Sequence, residues 1–227
     1  MLLTSKLRGT TKKRVPRTPP RHRLAYTATR ERILDVAADV FQHGYRITSL
    51  DELARRLGVT KPAIYHYFPS KEHLLSTLYE RVVSLSVTRQ EAIARTAAPP
   101  AQKLEAMLRA HIGLVVEHLP LFTVFFREEM NLPEAYRRQI LPKQRAYSRM
   151  MIDVYRDGVR AGVFRAVDPV IATSALLAMG NWLYHWYRPD GRLSASAIAD
   201  IMIELALSGC LRSERPATRS RRASPRP

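Results

Sequence analysis

The sequence predicts an all-α protein of about nine helices, with an N-terminal helix-turn-helix domain and a larger C-terminal helical domain. Between residues 26 and 211, apolar residues recur at three- and four-residue spacing, the period of an amphipathic helix. Turn signals are few in this range, and no segment alternates apolar and polar residues as a half-buried strand does. Hydrophobic residues make up 46% of the 227-residue chain, which is enough for a substantial core.

The first two helices are predicted from their apolar faces and caps. Helix one is expected to begin at Thr27 or Thr29 and to stop at Gly44. Its core face consists of Ile33, Leu34, Ala37, Val40 and Phe41. Helix two is shorter and buries Leu50, Leu53, Ala54 and Leu57. Ser49 and Glu52 have the spacing of a capping box, which places the start of helix two.

A tight turn joins helix two to a short helix three over residues 61–67. Gly58 supplies the left-handed residue that closes helix two, and Val59 is expected to fill the turn. Thr60 has a side chain suited to capping helix three. Two helices joined in this way form a helix-turn-helix.

The remaining helices are predicted from periodicity, caps and prolines. The expected ranges are 71–97, 101–118, 121–130, 134–162, 169–187 and 194–211. Pro142 should kink or divide the fourth of these. Asp168 and Ser194 are suited to cap the last two, which the turn at Arg188–Gly191 separates.

The net charge of +17 is concentrated at the two ends of the chain. Residues 1–25 hold eight Lys and Arg and no acid, residues 212–227 hold six Arg and one Glu, and the rest contributes +4. Both ends are rich in Pro, Arg, Ser and Thr, so we expect basic, disordered arms. Such arms attract a phosphate backbone, although solvated tails without a dedicated role have the same composition.

Composition and motifs disfavour several other classes of protein. No apolar run of about 18 residues predicts a membrane span, and the basic N-terminus lacks the apolar stretch of a secretory signal. Cys210 is the single cysteine, so an internal disulfide and a multi-cysteine zinc site are excluded. No glycine-rich phosphate loop or nucleophile motif is found, so we expect no catalytic residue and no cofactor. A cytoplasmic, non-enzymatic protein is expected.

The outward face of helix three carries more polar and aromatic groups than a helix of two turns needs. Ile64 and Phe68 are expected to anchor it to the core. The other side chains are then left facing outward: Thr60, Lys61, Ala63, Tyr65, His66 and Tyr67. They suit a DNA major groove, because Lys61 can donate to guanine and Ala63 can touch a thymine methyl. A simpler interpretation of the same residues is that Tyr65 packs against the protein and that Lys61 and His66 are solvated without contacting DNA.

Other residues are expected to contact the DNA backbone. The hydroxyls of Thr60 and Tyr65 suit phosphate oxygens. Thr48 and Ser49 lie at the start of helix two, where the first helix of such motifs crosses the backbone. Lys71 lies at the start of helix four, and a helix N-terminus is a good phosphate site.

Residues 27–87 resemble the DNA-binding domain of the TetR family of transcriptional regulators. The matching stretch is RERILDVAADVFQHGYRITSLDELARRLGVTKPAIYHYFPSKEHLL. Positions that fit the family pattern are Phe41, Gly44, Tyr45, Thr48, Ala54, Gly58, Val59, Thr60, Tyr65, Tyr67, Phe68, Lys71 and Leu74. Two residues separate Phe41 from Gly44, where the family usually has three, and this departure concerns the end of helix one.

The resemblance implies a homodimer on a palindromic double-stranded DNA operator. It implies a DNA-binding domain at 26–87 and an effector-binding and dimerisation domain at 88–211, between arms 1–25 and 212–227. The C-terminal half also resembles regulators of lipid or steroid breakdown that sense acyl-CoA thioesters. A small apolar or acyl-CoA-like effector is therefore expected, which would shift helix four and release a repressor from DNA.

The C-terminal half combines aromatic and methionine side chains with a few polar ones. Candidate ligand-binding residues are Met107, His111, Val115, His118, Phe122, Phe125, Phe126, Tyr147, Met151, Tyr155, Asn181, Trp182 and His185. Such a mixture suits a roomy apolar pocket with a few polar groups, and it also suits an ordinary core. An alternative metal site would combine His111, His118 and His185 with Glu128 or Glu129, but the histidine spacing does not support it, and no metal is expected.

The segment MGNWLYHWYRPDG, residues 179–191, places aromatic side chains on two faces of one helix. Trp182 and Trp186 share one face, and Tyr184 and Tyr187 share the other. One face is expected to pack on the pocket helices and the other on a partner subunit. The final helix adds an apolar stripe of Ile198, Ile201, Met202 and Leu205. In the TetR family the last two helices of each subunit form a four-helix dimer interface, which this stripe fits.

Two other functions stay open at this point. A basic architectural DNA-binding protein without a small-molecule effector would depend on the two arms rather than on helix three. A helical enzyme that uses the aromatic pocket ranks last.

Overall fold

The structure, a computed structural model, describes residues 21–211. This part of the chain contains ten α-helices, one 3-10 turn and no β-strand. The α-helices are α1 (Arg21–Phe41), α2 (Leu50–Leu57), α3 (Lys61–Tyr67), α4 (Lys71–Ala94), α5 (Pro100–Glu117), α6 (Leu119–Arg127), α7 (Glu134–Arg160), α8 (Pro169–Asn181), α9 (Leu183–Trp186) and α10 (Ala195–Cys210). The 3-10 turn is Glu129–Asn131. The all-α prediction is confirmed.

Side-chain caps fix where four of the helices begin. The Ser49 Oγ accepts a hydrogen bond from the Glu52 backbone N–H at 3.1 Å, which starts α2. Ser70, Asp168 and Ser194 cap α4, α8 and α10 in the same way. These caps were predicted for α2, α8 and α10, and the structure confirms them.

The predicted helices differ from the structure at several ends, and three of the differences matter here. The first helix begins at Arg21 rather than at Thr27 or Thr29, so residues 21–25 are helical instead of part of an arm. The rest of the predicted arms lies outside the described residues. Pro142 neither divides nor ends α7, because packing along α4 outweighs the hydrogen bond that the proline removes.

The third difference concerns the helix predicted over 169–187. In the structure this helix breaks at Trp182. The His185 backbone N–H donates to the Trp182 carbonyl three residues back, at 3.1 Å, and this tighter turn separates α8 from α9. The break lets Leu183 enter the core and brings Tyr184 against α6.

A buried core extends through both halves of the molecule, and α4 connects them. Its first turns contact α1, and the rest packs on α5, α6 and α7. Leu74, Leu75 and Leu78 of α4 are fully buried. Movement of α4 therefore changes the position of the N-terminal helices relative to the C-terminal ones.

No single helix within residues 21–211 is long and apolar enough to cross a membrane. Helices α5 and α6 reach that length and hydropathy only as a pair, and they meet at an angle of 97°.

Candidate functional site

The short helix α3 is held to the protein from beneath. Ile64 and Phe68 are fully buried, as predicted, and Gly58 adopts the left-handed conformation with φ of 68° at the end of α2. Val59 does not fill the turn, because 41% of its surface is exposed. Thr60 stands at the N-cap position, but its hydroxyl makes no capping hydrogen bond. Buried apolar contacts, rather than a side-chain cap, therefore hold α3 in place.

The opposite face of α3 is open to solvent. Tyr65 is 43% exposed and His66 is exposed, while Ala63 and Tyr67 are partly buried. The Lys61 Nζ donates to the Asp51 carboxylate at 2.8 Å, and this hydrogen bond raises the pKa of Lys61. Lys61 therefore has an acidic partner on α2.

Tyr26 of α1 belongs to the same surface, and the sequence interpretation missed it. Its ring lies 4.7 Å from the Tyr67 ring and 6.1 Å from the His66 ring, measured between centroids. The first turns of α1 thus lie beside α3. The sequence gave no signal of the contact between Tyr26 and α3, because this contact depends on the angle between α1 and α3.

Thr48 and Lys71 were predicted to face outward, and the structure shows that they do not. Thr48 is buried, and its hydroxyl donates to the Gly44 carbonyl at 2.8 Å. The Lys71 Nζ donates to the carbonyls of Tyr45 and Thr48 and lies 4.2 Å above the Tyr45 ring. Burial lowers the pKa of Lys71. Both residues hold the loop between α1 and α2, so neither offers its polar group to a phosphate in this arrangement.

The same loop is tied to the C-terminal half by polar contacts. The Tyr45 backbone N–H donates to the Glu128 carboxylate at 3.3 Å, and the Asn131 amide donates to the same carboxylate at 2.6 Å. The Arg46 Nε donates to the Asn131 Oδ1 at 2.8 Å. The Tyr79 hydroxyl of α4 donates to the Phe125 carbonyl at 2.6 Å. We refer to the contacts of Tyr45 and Arg46 with Glu128 and Asn131 as the latch.

A cavity of about 190 Å³ lies among α4, α5, α6, α7 and α8. Its wall consists of Val82, Val83, Ser86, His111, Phe122, Phe125, Phe126, Gln144, Tyr147, Ser148, Leu177 and Asn181. Six of these were predicted ligand-binding residues: His111, Phe122, Phe125, Phe126, Tyr147 and Asn181. No lysine, arginine or carboxylate lines the cavity.

Three polar side chains cross the cavity wall as one hydrogen-bonded chain. The Tyr147 hydroxyl lies 2.9 Å from the His111 Nδ1, and the His111 Nε2 lies 2.9 Å from the Asn181 Oδ1. Burial lowers the pKa of His111 to about 4, so the imidazole is neutral near pH 7. With Nε2–H donating to Asn181, His111 Nδ1 accepts the Tyr147 hydroxyl hydrogen, and we call this arrangement the polar chain.

Gly180 makes room for the polar chain. A Cβ at this position would lie 2.6 Å from the His111 Cδ2, so a larger residue would displace the imidazole. The absence of a side chain at residue 180 lets α8 approach α5 closely enough for Asn181 to reach His111.

The other predicted ligand-binding residues lie outside this wall. Met107, Val115 and Met151 are fully buried core residues. The remaining ones are His118, Tyr155, Trp182 and His185. Tyr155 instead stacks on Phe164 at 5.0 Å, and Trp182 stacks on His185 at the surface. Helical spacing shows which side chains share a face, but not whether that face meets a helix or a void.

A groove beside the cavity carries the positive charge that the cavity lacks. It has a volume of about 540 Å³, and Gln144 and Ser148 belong to the walls of both spaces. Arg145, Arg149 and Arg156 of α7 line it. Their spacing of four and seven residues places them on one helix face, a signal that the sequence contained and its interpretation missed.

Arg145 and Arg149 make no ion pair with any other residue in the range 21–211, whereas Arg156 pairs with Asp153 at 2.7 Å. The groove therefore offers two guanidinium groups without an ion-pair partner among the described residues, next to the uncharged cavity with which it shares Gln144 and Ser148.

The segment that runs from α8 through α9 to α10 exposes apolar side chains toward solvent. The exposed residues are Val170, Ile171, Trp182, Trp186, Ile201 and Leu205, the last of which is 65% exposed. Tyr187, by contrast, is buried, and Tyr184 stacks on Phe126 at 5.2 Å. Tyr184 and Tyr187 therefore face the protein and Trp182 and Trp186 face solvent, as predicted, whereas packing of the outward side on a partner subunit stays a prediction. We call the outward surface the α8–α10 face.

The alternative metal site is not assembled. In the described part of the chain, no three His, Cys, Asp or Glu side chains come close enough to hold a metal ion. His111 is instead part of the polar chain, and Glu128 is part of the latch.

Two known protein families match the sequence. Residues 33–78 match the family described as bacterial regulatory proteins, tetR family. Residues 97–210 match the family described as tetracyclin repressor-like, C-terminal domain. The first match covers the helix-turn-helix, and the second covers α5 to α10, which build most of the cavity wall and the α8–α10 face.

Individual relatives and solved structures agree with these matches. The HTH-type transcriptional repressor KstR2 of Mycobacterium tuberculosis is 25% identical over 183 residues, which cover 79% of this chain and 92% of the relative. A TetR/AcrR regulator from Thermobifida fusca is 37% identical with a TM-score of 0.65, covering 80% of this chain and 98% of that one. AibR, solved with isovaleryl coenzyme A and operator DNA, is 29% identical with a TM-score of 0.71, covering 78% and 96%.

Proposed function

Because the chain belongs to the TetR family of transcriptional regulators, we propose that it is a homodimeric repressor that an acyl-CoA thioester releases from its operator. Residues 26–87 read the DNA, and residues 88–211 bind the effector and the partner subunit. A basic architectural protein without an effector is not favoured, because the family match extends over the effector-binding half. The relatives of this chain are transcriptional regulators rather than enzymes.

The exposed face of α3 supports the proposed contacts with DNA. Lys61, Ala63 and Tyr65 lie on the surface that a major groove would cover, and Ser49 lies at the start of α2. Thr60, His66 and Tyr67 border this surface. In a symmetric dimer, two such helices enter successive major grooves about 34 Å apart on a palindromic site.

The observation that carries the effector proposal is that an uncharged cavity and an arginine-lined groove share Gln144 and Ser148 in their walls. The cavity accepts an acyl group but no ion, because a buried charge without a partner costs several kcal/mol or more. Arg145 and Arg149 can bind phosphate groups bidentately just outside. A thioester of coenzyme A combines an uncharged acyl group with phosphates. At about 190 Å³ the cavity favours a short or medium acyl chain.

Helix α6 connects the cavity to the DNA-binding helices. Phe122, Phe125 and Phe126 line the cavity from α6, and the latch follows directly after its last residue. An acyl group that displaces these rings moves α6, α4 and the loop before α2 together. A coupling free energy of about 1–3 kcal/mol is enough to release an operator.

The dimer proposal is supported by the α8–α10 face. Large apolar side chains grouped on one surface mark a site of protein association. Helix pairs from two subunits would bury them in a four-helix interface about a twofold axis.

The effector class can be tested by titrating thioesters into the protein–operator complex. We expect short and medium acyl-CoA thioesters to release a fluorescent operator, and free acids and coenzyme A alone to act at least about tenfold more weakly. The variant R145Q/R149Q should need roughly tenfold more thioester while its operator affinity without effector is unchanged.

The matched control for this variant is Arg138→Gln, which removes an arginine from α7 that pairs with Glu134 outside the groove. Operator release by free acids as effective as release by thioesters would contradict the proposed effector class and leave DNA binding intact.

A further inference from the structure

The cavity wall holds more polar groups than an unsubstituted acyl chain can use. Ser86, Gln144 and Ser148 line it, and their side chains make no hydrogen bond with another residue in the range 21–211. Water can hydrogen-bond to such groups in solution. An alkyl chain that enters the cavity displaces this water and gives the groups no partner in return, which opposes binding.

The polar chain leaves one further donor free. The neutral His111 ring donates from Nε2 to the Asn181 Oδ1, at 2.9 Å. This bond occupies the oxygen of the Asn181 amide and leaves its nitrogen, which makes no hydrogen bond within the described part of the chain. Asn181 also lines the cavity. It therefore offers an N–H donor to an acceptor oxygen on a ligand.

These free polar groups divide into two sets by position. Gln144 and Ser148 also belong to the wall of the arginine-lined groove, whereas Ser86 and Asn181 line the cavity but not the groove. The set beside the groove suits the thioester carbonyl, which every acyl-CoA carries where its acyl group begins. Ser86 and Asn181 then remain for the rest of the acyl group, where an unsubstituted chain has only carbon and hydrogen.

We propose that the acyl group of the effector carries an uncharged oxygen substituent, a hydroxyl or a keto group, which Asn181 and Ser86 bind. The inference rests on the proposed acyl-CoA effector and narrows its class. The Asn181 amide donates to either kind of oxygen, and the Ser86 hydroxyl can donate to it or accept from a ligand hydroxyl. A carboxylate substituent is disfavoured, because no lysine or arginine among the described residues lines the cavity.

Selectivity would follow from the polar groups that the wrong ligand leaves unpaired. A site built to hydrogen-bond a ligand oxygen rejects an analogue without that oxygen more strongly than an apolar pocket rejects an added one. The apolar part of the wall, which includes Val82, Val83 and Phe122, contacts substituted and unsubstituted chains alike. The ratio of the two affinities therefore measures the contribution of Asn181 and Ser86.

The experiment measures thioester affinity of the full chain by isothermal titration calorimetry without DNA. The probes share one chain length: hexanoyl-CoA, its 3-hydroxy, 5-hydroxy, 3-oxo and 5-oxo derivatives, and adipoyl-CoA, which ends in a carboxylate. Equal chain length keeps contacts with the apolar wall similar. Leaving DNA out separates recognition of the acyl group from release of the operator.

Two variants test the two proposed ligand-binding residues separately. Asn181→Leu removes the amide at similar volume, and Ser86→Ala removes a hydroxyl while leaving the polar chain intact. Ser76→Ala is the matched control, because Ser76 is a buried serine of the same helix, α4, that does not line the cavity. Thermal unfolding shows whether each variant is folded, and Ser86→Ala tests the inference on its own if Asn181→Leu is not.

We expect the best oxygenated hexanoyl-CoA to bind at least about tenfold more tightly than hexanoyl-CoA, and adipoyl-CoA to bind more weakly than both. Asn181→Leu and Ser86→Ala should each reduce the tenfold ratio at least about threefold, the effect of losing one hydrogen bond. They should do so by weakening the oxygenated probe, with hexanoyl-CoA little changed. Ser76→Ala should keep the ratio of the unmodified protein.

Hexanoyl-CoA that binds as tightly as all four oxygenated derivatives would overturn this inference and leave the acyl-CoA effector standing. Equal losses of affinity for oxygenated and plain probes in both variants would also overturn it, because they would show a structural role for Asn181 and Ser86. Binding of none of the thioesters would overturn the effector proposal itself, and this inference with it.

Discussion

Tyr65 is the α3 side chain whose contribution to DNA binding can be removed with the least structural disturbance. Its ring is exposed, and its hydroxyl makes no hydrogen bond within residues 21–211. We expect Tyr65→Phe to weaken operator binding about 3- to 10-fold, which corresponds to the loss of one hydrogen bond of about 0.5–1.5 kcal/mol. Fluorescence anisotropy measures the affinity, and thermal unfolding should be unchanged.

Tyr184→Phe is the matched control, since it removes a tyrosine hydroxyl from α9, far along the chain from α3. Its operator affinity should equal that of the unmodified protein. An unchanged affinity in Tyr65→Phe would remove this hydroxyl from the proposed DNA contacts.

Residue type and position predicted the anchors of α3 but not every outward side chain. Ile64 and Phe68 are buried because their spacing on a two-turn helix leaves no other apolar face. Thr48 and Lys71 have the chemistry of phosphate ligands, yet both hydrogen-bond to carbonyls of one loop. Carbonyls at the buried positions of this loop need donors, and the sequence does not show which donors the fold brings there.

At the scale of the element, the proposed coupling between a filled cavity and the DNA-binding helices depends on α6 and its latch. We expect Glu128→Ala to reduce the effect of the effector, because it removes the acceptor of the Tyr45 N–H and of Asn131. The ratio of operator dissociation constants with and without a releasing acyl-CoA should fall about 5- to 10-fold, a loss of roughly 1–1.4 kcal/mol of coupling.

Glu129→Ala removes the neighbouring carboxylate, which makes no ion pair within the described chain, and serves as the control. Thioester affinity should be similar in both variants when measured without DNA. Full release of the operator from Glu128→Ala would show that coupling passes through α4 alone.

Helix caps and periodicity predicted where several helices begin, but they predicted fewer of the residues that line the cavity. Ser49, Asp168 and Ser194 act locally, so a few residues of sequence determine the helix starts. The wall of the cavity depends on the packing angles of five helices. Phe122 was correctly assigned to it, whereas Met107, of similar hydrophobicity, lies in the solid core.

At the scale of the whole molecule, the α8–α10 face should hold the dimer together. Ile171 and Leu205 are 69% and 65% exposed in the single chain. We expect I171R/L205R to be a folded monomer by sedimentation and to bind the operator at least about 100-fold more weakly, because one half-site contributes without the other.

Met130→Arg is the control for this double variant, since Met130 is 79% exposed but lies on the 3-10 turn after α6. It should remain a dimer. A dimer that persists in I171R/L205R would move the interface to another surface.

The family pattern predicted the order of the domains, but not the position of the first helix on the DNA-binding surface. Gly58, Tyr65 and Phe68 carry that pattern, and all lie between the first and fourth helices. Helix α1 begins at Arg21 and its Tyr26 contacts α3, and no local signal in the sequence predicts this contact.

If Lys61 contacts a base as proposed, its ion pair with Asp51 has a consequence for the range of operator sequences that the protein binds. When a promoter lacks a suitable acceptor opposite Lys61, the ammonium returns to its carboxylate partner on α2 instead of standing alone. A substitution at that base is then tolerated better than a clash elsewhere under α3. Genes whose promoters differ at this base can therefore share one regulator, and sites recovered from a random pool should be least uniform there.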